Sequence, residues 1–200
     1  NCTLPGSFIS GPIRLQVDAL SAWFMLIINF GFLTGGFYGL FYMSAYKNQP
    51  KNLTLAAILF VLLYTALVSL CAIQNSFVFI VVWEIMALSA FLSILFEHEK
   101  VATIKAGINF LIQSHVSIIF LIIGFIWVAS QTGSYDFGAI HAYSLSHPGM
   151  LSMQLYLIFF IGFAIKAGFV PFHTWLPYAH PAAPSHISGI MSGVLIKIGI

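Results

Sequence analysis

The sequence predicts an all-α integral membrane protein, a multi-span helix bundle, and three observations carry that prediction. Of its 200 residues, 60% are hydrophobic and only 6% are charged, where a soluble domain carries about 25%. Apolar runs near the ~20 residues that cross a bilayer recur along the whole chain. No ~10-residue alternating segments of the kind a membrane barrel needs accompany them, and no strand-period pattern competes.

Six segments follow in order. The N-terminal stretch 1–18 is polar enough to lie outside the membrane. The first span runs from about 19 to 46, the second 53–72, the third 76–96 and the fourth 103–130. The fifth starts near Leu151 and is interrupted after Lys166. Gly168 and Pro171 follow closely, and proline removes a backbone donor and blocks continuation of a helix. The stretch after it, Phe172-His-Thr-Trp-Leu-Pro-Tyr-Ala-His180, is too apolar for a loop. A discontinuous helix, broken near the middle of the membrane, accounts for this pattern. The sixth segment starts near Pro184 and continues to Ile200. The chain opens at Asn1 without Met and closes inside an apolar pattern, so it reads as a piece of a longer polypeptide.

Loop charge orients the bundle. Lys47 and Lys51 follow the first span, Lys100 follows the third, and Lys105 lies just inside the fourth. The 131–149 loop has no Lys or Arg. The positive-inside rule places the lysine-bearing loops in the cytoplasm. The 131–149 loop, with Asp136 and two histidines, is then a solvated turn on the other side. A net charge of +2 is too small to suggest nucleic acid as a partner. Cys2 and Cys71 are too few and too far apart for a metal motif or a disulfide framework.

Two ionisable residues stand inside apolar runs. Lys166 lies in Leu157-Ile-Phe-Phe-Ile-Gly-Phe-Ala-Ile-Lys-Ala-Gly-Phe-Val170, and Glu84 in Phe77-Val-Phe-Ile-Val-Val-Trp-Glu-Ile-Met-Ala-Leu88. Each costs about 2.5–3.5 kcal/mol at the bilayer centre on insertion scales, and such residues are functional by default. At 1.5 Å rise per residue, Lys166 lies ~22 Å from Leu151, Glu84 ~12 Å from Ser76 and Lys197 ~20 Å from Pro184. All three fall in the central part of the bilayer. Burial disfavours a charged lysine and a nearby carboxylate favours it. A lysine whose glutamate partner approaches and withdraws therefore alternates between holding and releasing a proton. The competing reading is a static buried pair locking two helices, a poor motive because such pairs gain little over apolar packing.

Lys197 follows Gly189 and Gly193 at four-residue spacing on one helix face, where small residues allow close approach. It is expected to point inward, with snorkelling to the membrane surface as the alternative. The fourth span carries Lys105, Asn109, Gln113 and Ser117 at four-residue spacing, one polar stripe. The stripe suits either a hydrated half-channel or ordinary interhelical hydrogen bonding. His115 lies on another face, as a packing residue or a proton carrier. A haem reading of His115, His173, His180 and His186 is set aside, because only His115 is clearly mid-span and axial ligands need matching depth on facing helices. No phosphate loop, nucleophile triad or cysteine cluster is present, so the stretch carries no recognisable redox centre.

Trp83-Glu-Ile-Met-Ala-Leu-Ser89 resembles the Trp-Glu span of the antiporter-like subunits of respiratory complex I and its relatives. Lys166-Ala-Gly-Phe-Val-Pro-Phe-His-Thr-Trp-Leu-Pro-Tyr-Ala-His180 resembles their broken helix. Ala183-Pro-Ser185, Ser188, Ser192-Gly193 and Lys197-Ile-Gly199 resemble the span after it. A looser match through Asp18-Ala-Leu-Ser21 covers nearly the whole chain.

The resemblance implies a fold of two inverted five-helix repeats, of which this chain holds the first. On it, 1–18 is an extracytoplasmic segment, 19–52 the first span and its cytoplasmic loop, and 53–200 the first repeat, truncated at the end. It also implies a proton relay through Glu84, Lys166 and Lys197, with Lys105, Asn109, Gln113, His115, His173 and Ser192 as channel-lining candidates. It implies no cofactor in this chain. Iron–sulfur centres, and nickel–iron centres in a hydrogenase-type complex, belong to partner subunits. Those partners are other membrane subunits and peripheral redox subunits, in the inner cell membrane. The stretch from His180 to Lys197, and His115, are most similar to the large membrane subunit of hydrogenase-4 and formate hydrogenlyase complexes. Complex I subunits proper and multi-subunit sodium/proton antiporters share the fold.

Overall fold

The computed structural model describes residues 2–7, 11–48 and 50–199; Asn1 and Ile200, the ends of the expected segments, lie outside them. Among the described residues, five segments are long and apolar enough to cross a membrane: Ala19–Tyr46, Asn52–Leu70, Ser76–Glu97, Val101–Thr132 and Met150–Ala182. They contain helices α1 (Ala19–Met43), α2 (Pro50–Leu70), α3 (Ser76–Ile94), α4 (Val101–Thr132), and α6 (Met150–Ala167) with α7 (Leu176–Ala182). The sixth segment begins as α8 (Ser185–Ile190), passes through a π-helical turn at Met191–Leu195 and ends in a 3-10 turn at Lys197–Gly199. The chain is an all-α multi-span membrane bundle with a discontinuous helix after Lys166.

Local chemistry sets the helix ends. Asp18 caps α1 by accepting from the Ser21 amide at 2.7 Å, and Asn75 caps α3 by accepting from Val78 at 3.1 Å. Gly168 ends α6 in the left-handed region at φ 71°, which costs glycine nothing. The Phe169 amide then reaches back to the Ala164 carbonyl at 3.0 Å.

One expectation needs correction at the end of the bundle away from Lys47 and Lys100. The 131–149 loop is not merely a solvated turn. It holds α5 (Phe137–Ser146), capped by Asp136 through the Gly138 amide at 2.7 Å. Its apolar face packs Phe137 onto Phe79 and Phe125, which ten residues of weak periodicity do not announce. The N-terminal stretch is also ordered as a small antiparallel hairpin, Cys2–Leu4 with Ile13–Leu15. It is pinned where Arg14 Nη1 meets Asp136 Oδ2 at 3.2 Å and where the Gln74 amide donates to the Arg14 carbonyl.

The core lies where α4 packs between α3 and α6, with α2 against α3 and α1 against α8. Lipid is as apolar as leucine, so fit rather than water exclusion holds such helices together. Glycines provide the close approach: Gly162 on α6 faces Leu121, and Gly124 on α4 faces Phe159. Ser117 Oγ donates across the same seam to the Gly162 carbonyl at 2.7 Å. Phe79, Trp83, Phe125, Phe137, Phe159 and Phe163 form one ring cluster with neighbouring centroids 4.9–6.5 Å apart. Each well-placed pair adds about 0.5–1.5 kcal/mol beyond area burial. The outer face of α1 exposes Trp23, Phe30, Leu33, Phe37 and Leu40, as a lipid-facing surface does.

Candidate functional site

The break after α6 is held by α4. A helix end leaves carbonyls without intrahelical partners, and inside a membrane they must be satisfied by protein. Trp175, on the 3-10 turn Phe172–Trp175, donates Nε1 to the Ile165 carbonyl at 3.0 Å. Asn109 Nδ2 donates to the Thr174 carbonyl at 3.3 Å, and Gln113 Nε2 to Thr174 Oγ1 at 2.5 Å. Three members of the polar stripe therefore reach the broken segment: Asn109 and Gln113 at its 3-10 turn, and Ser117 one turn before Lys166. Lys105, the fourth, stays exposed near the start of α4.

Lys166 occupies the last turn of α6 and is 1% exposed. Its Nζ has no hydrogen-bond partner among the described residues. It lies over the Phe110 ring, 4.7 Å from the centroid. Lys166 and Glu84 of α3 do not form a direct ion pair within 4 Å.

Glu84 instead lies beside α4. Its Oε1 is 3.3 Å from His115 Nε2, while Oε2 is buried without a partner among the described residues. Glu84 is half-buried rather than deeply buried, at 28% side-chain exposure. His115 Nδ1 sits 2.9 Å from the Leu111 carbonyl. A carbonyl only accepts, so Nδ1 donates there and Nε2 is the nitrogen that faces Glu84. The pairing had a readable signal: from Glu97 back to Glu84, and from Val101 forward to His115, the helical rise is ~20 Å in both cases. Trp83 Nε1, next to Glu84, is also buried and unpartnered among the described residues. Native structures hold few such groups.

Lys197 lies on a face that this chain itself leaves uncovered. Gly189, Gly193 and Lys197 do share a face, but all three are exposed. The buried face of this segment is the other one, formed by His186, Ile187, Ile190, Met191, Val194 and Leu195. Lys197 Nζ donates to the Ser192 carbonyl at 2.7 Å, and Ser192 Oγ to that of Ser188 at 2.9 Å. The segment still comes close to Lys166. A Cβ on Gly199 would lie 2.8 Å from the Ala167 nitrogen and the Phe163 carbonyl, so the backbones touch there. His173 is exposed on the 3-10 turn after the break.

Residues 73–200 match the model of the family described as NADH:quinone oxidoreductase/Mrp antiporter, TM. The chain belongs to that family. Its spans of α3, α4, α6 and α8, with Glu84, His115, Lys166 and Lys197, all fall inside the matched region. Hydrogenase-4 component B of Escherichia coli is 37% identical over 94% of this chain and 27% of its own length. NAD(P)H-quinone oxidoreductase chain 4 3 of Picosynechococcus sp. is 32% identical over 92% of this chain and 32% of its own. A chain in the solved structure of the membrane-bound sulfane sulfur reductase, an archaeal respiratory membrane complex, superposes with a TM-score of 0.79. It is 21% identical, and the match covers 98% of this chain and 31% of that one. The chain thus spans about a third or less of the relatives it matches. It is a multi-pass membrane protein with the fold of these antiporter-like subunits.

Proposed function

We propose that this chain moves protons across the membrane as part of a membrane-bound energy-converting oxidoreductase complex of the hydrogenase type. Glu84, Lys166 and Lys197 are the relay, and His115 joins it through its contact with Glu84. The observation that carries the reading is Lys166, a lysine 1% exposed, with no hydrogen-bond partner among the described residues. An arrangement built for stability would pair that ammonium or replace it by an apolar side chain. One built for proton transfer leaves it poised between partners, so that a change in the Glu84 position alters how firmly Lys166 holds its proton.

The driving chemistry belongs to partners in this reading. Peripheral subunits carry iron–sulfur centres and a nickel–iron centre, other membrane subunits flank the chain, and the complex sits in the inner cell membrane. The likeness to hydrogenase-4 component B supports the hydrogenase assignment. The family match also spans Mrp antiporters and NADH:quinone oxidoreductases, which keeps sodium/proton exchange and a complex I role as the second reading.

Purifying the tagged complex from native membranes separates the two. Co-purified iron–sulfur and nickel-bearing subunits, with proton uptake driven by a redox donor, support the first. Sodium/proton exchange by a preparation with no redox partner supports the second. In either, Glu84→Gln abolishes transport; full transport by that variant contradicts the relay.

A further inference from the structure

The Phe110 ring has no part in the relay, yet the Lys166 ammonium lies over its face. Phe110 is 1% exposed, so neither partner is screened by solvent. Its centroid lies 4.7 Å from Lys166 Nζ, within the ~6 Å over which a ring face attracts a cation. The ring is itself fixed: Trp175 packs edge-on against it at 5.1 Å and is anchored by its own Nε1 on Ile165. Ile165 immediately precedes Lys166, so one aromatic pair positions both the break and the ammonium.

The charged groups around this contact divide by element. Glu84, from α3, lies against His115 of α4. Phe110 and His115 are both on α4, on either side of Gln113. In this arrangement α4 gives the two members of the expected pair separate partners, an imidazole for the carboxylate and a ring face for the ammonium.

We propose that Phe110 is the seat of the charged Lys166 side chain when it is parted from Glu84, and so a positioning residue of the relay. The inference rests on the proton-relay reading above. A ring face attracts the ammonium and has no comparable hold on the neutral amine. The seat therefore favours a proton on Lys166 without supplying a counter-charge that would trap it.

Fluorination tests this without changing shape, because each fluorine withdraws electron density from the ring face. Phe110 is replaced by 4-fluoro-, 3,5-difluoro- and 3,4,5-trifluorophenylalanine in the intact complex, and redox-driven proton uptake is measured in sealed proteoliposomes. The expected result is a stepwise fall, reaching about tenfold for the trifluoro ring, equivalent to about 1.4 kcal/mol, with assembly unchanged. Lys166→Met is run alongside. A flat or rising fluorine series beside a Lys166→Met complex that no longer pumps overturns the seat and leaves the relay standing. A Lys166→Met complex that still pumps overturns the relay, and the seat with it.

Discussion

Glu84 of α3 and His115 of α4 lie 3.3 Å apart, carboxylate oxygen to imidazole nitrogen, in the middle of two antiparallel spans. The Leu111 carbonyl fixes the other ring nitrogen as a donor. Any proton exchanged by this histidine therefore leaves or enters on the Glu84 side. A packing histidine has no need of that orientation.

Replacing His115 by Leu is expected to lower proton uptake by the reconstituted complex about a hundredfold, the low end for loss of a positioned proton-transfer group. Assembly should be retained, since His115 is 48% exposed at its side chain and α4 packs through its other face. Uptake within a factor of two of the native rate would return His115 to a packing role.

Thr174 receives two hydrogen bonds from α4, one at its carbonyl and one at its hydroxyl. Thr174→Val removes only the second and leaves the Gln113 amide short of a partner. The expected cost is about 0.6–2 kcal/mol, between the membrane average and the upper measured range for such bonds. Thr174→Ser should restore it. Graded denaturation of the purified complex in detergent is the measurement.

Gly199 touches backbone, not a flexible side-chain end. Gly199→Ala must push the last turn away from Phe163 and Ala167, with an expected cost of about 1–3 kcal/mol as overpacking. Because that turn flanks Lys166, transport should fall together with stability. Gly168→Ala is strained for a different reason, its φ of 71°, and should cost about 1–2 kcal/mol. It also meets Leu176. Thermal unfolding of the two variants, with transport measured in parallel, checks both.

The spans, the break and the polar stripe were readable because each rests on a local rule: span length, proline and glycine chemistry, four-residue spacing. Lys166 was readable because a buried ammonium contradicts its surroundings. What sequence alone left open was rotation and contact. Whether Glu84 turns toward Lys166 or His115 depends on how α3 and α4 seat against each other, which is decided by pairs such as Gly107 against Leu95. The buried face of the last segment is formed by Ile187, Ile190, Met191, Val194 and Leu195, and Lys197 lies opposite it. Helix α5 and the N-terminal hairpin escaped notice because short elements in polar segments draw their order from what they pack on, here Phe79, Phe125 and Asp136.

The most direct measurement is redox-driven proton transport by the reconstituted complex carrying Lys166→Met. Methionine fills the same buried space beside Phe110 without an ionisable group. The account predicts a correctly assembled complex that transports no protons. Undiminished transport by that complex would contradict it.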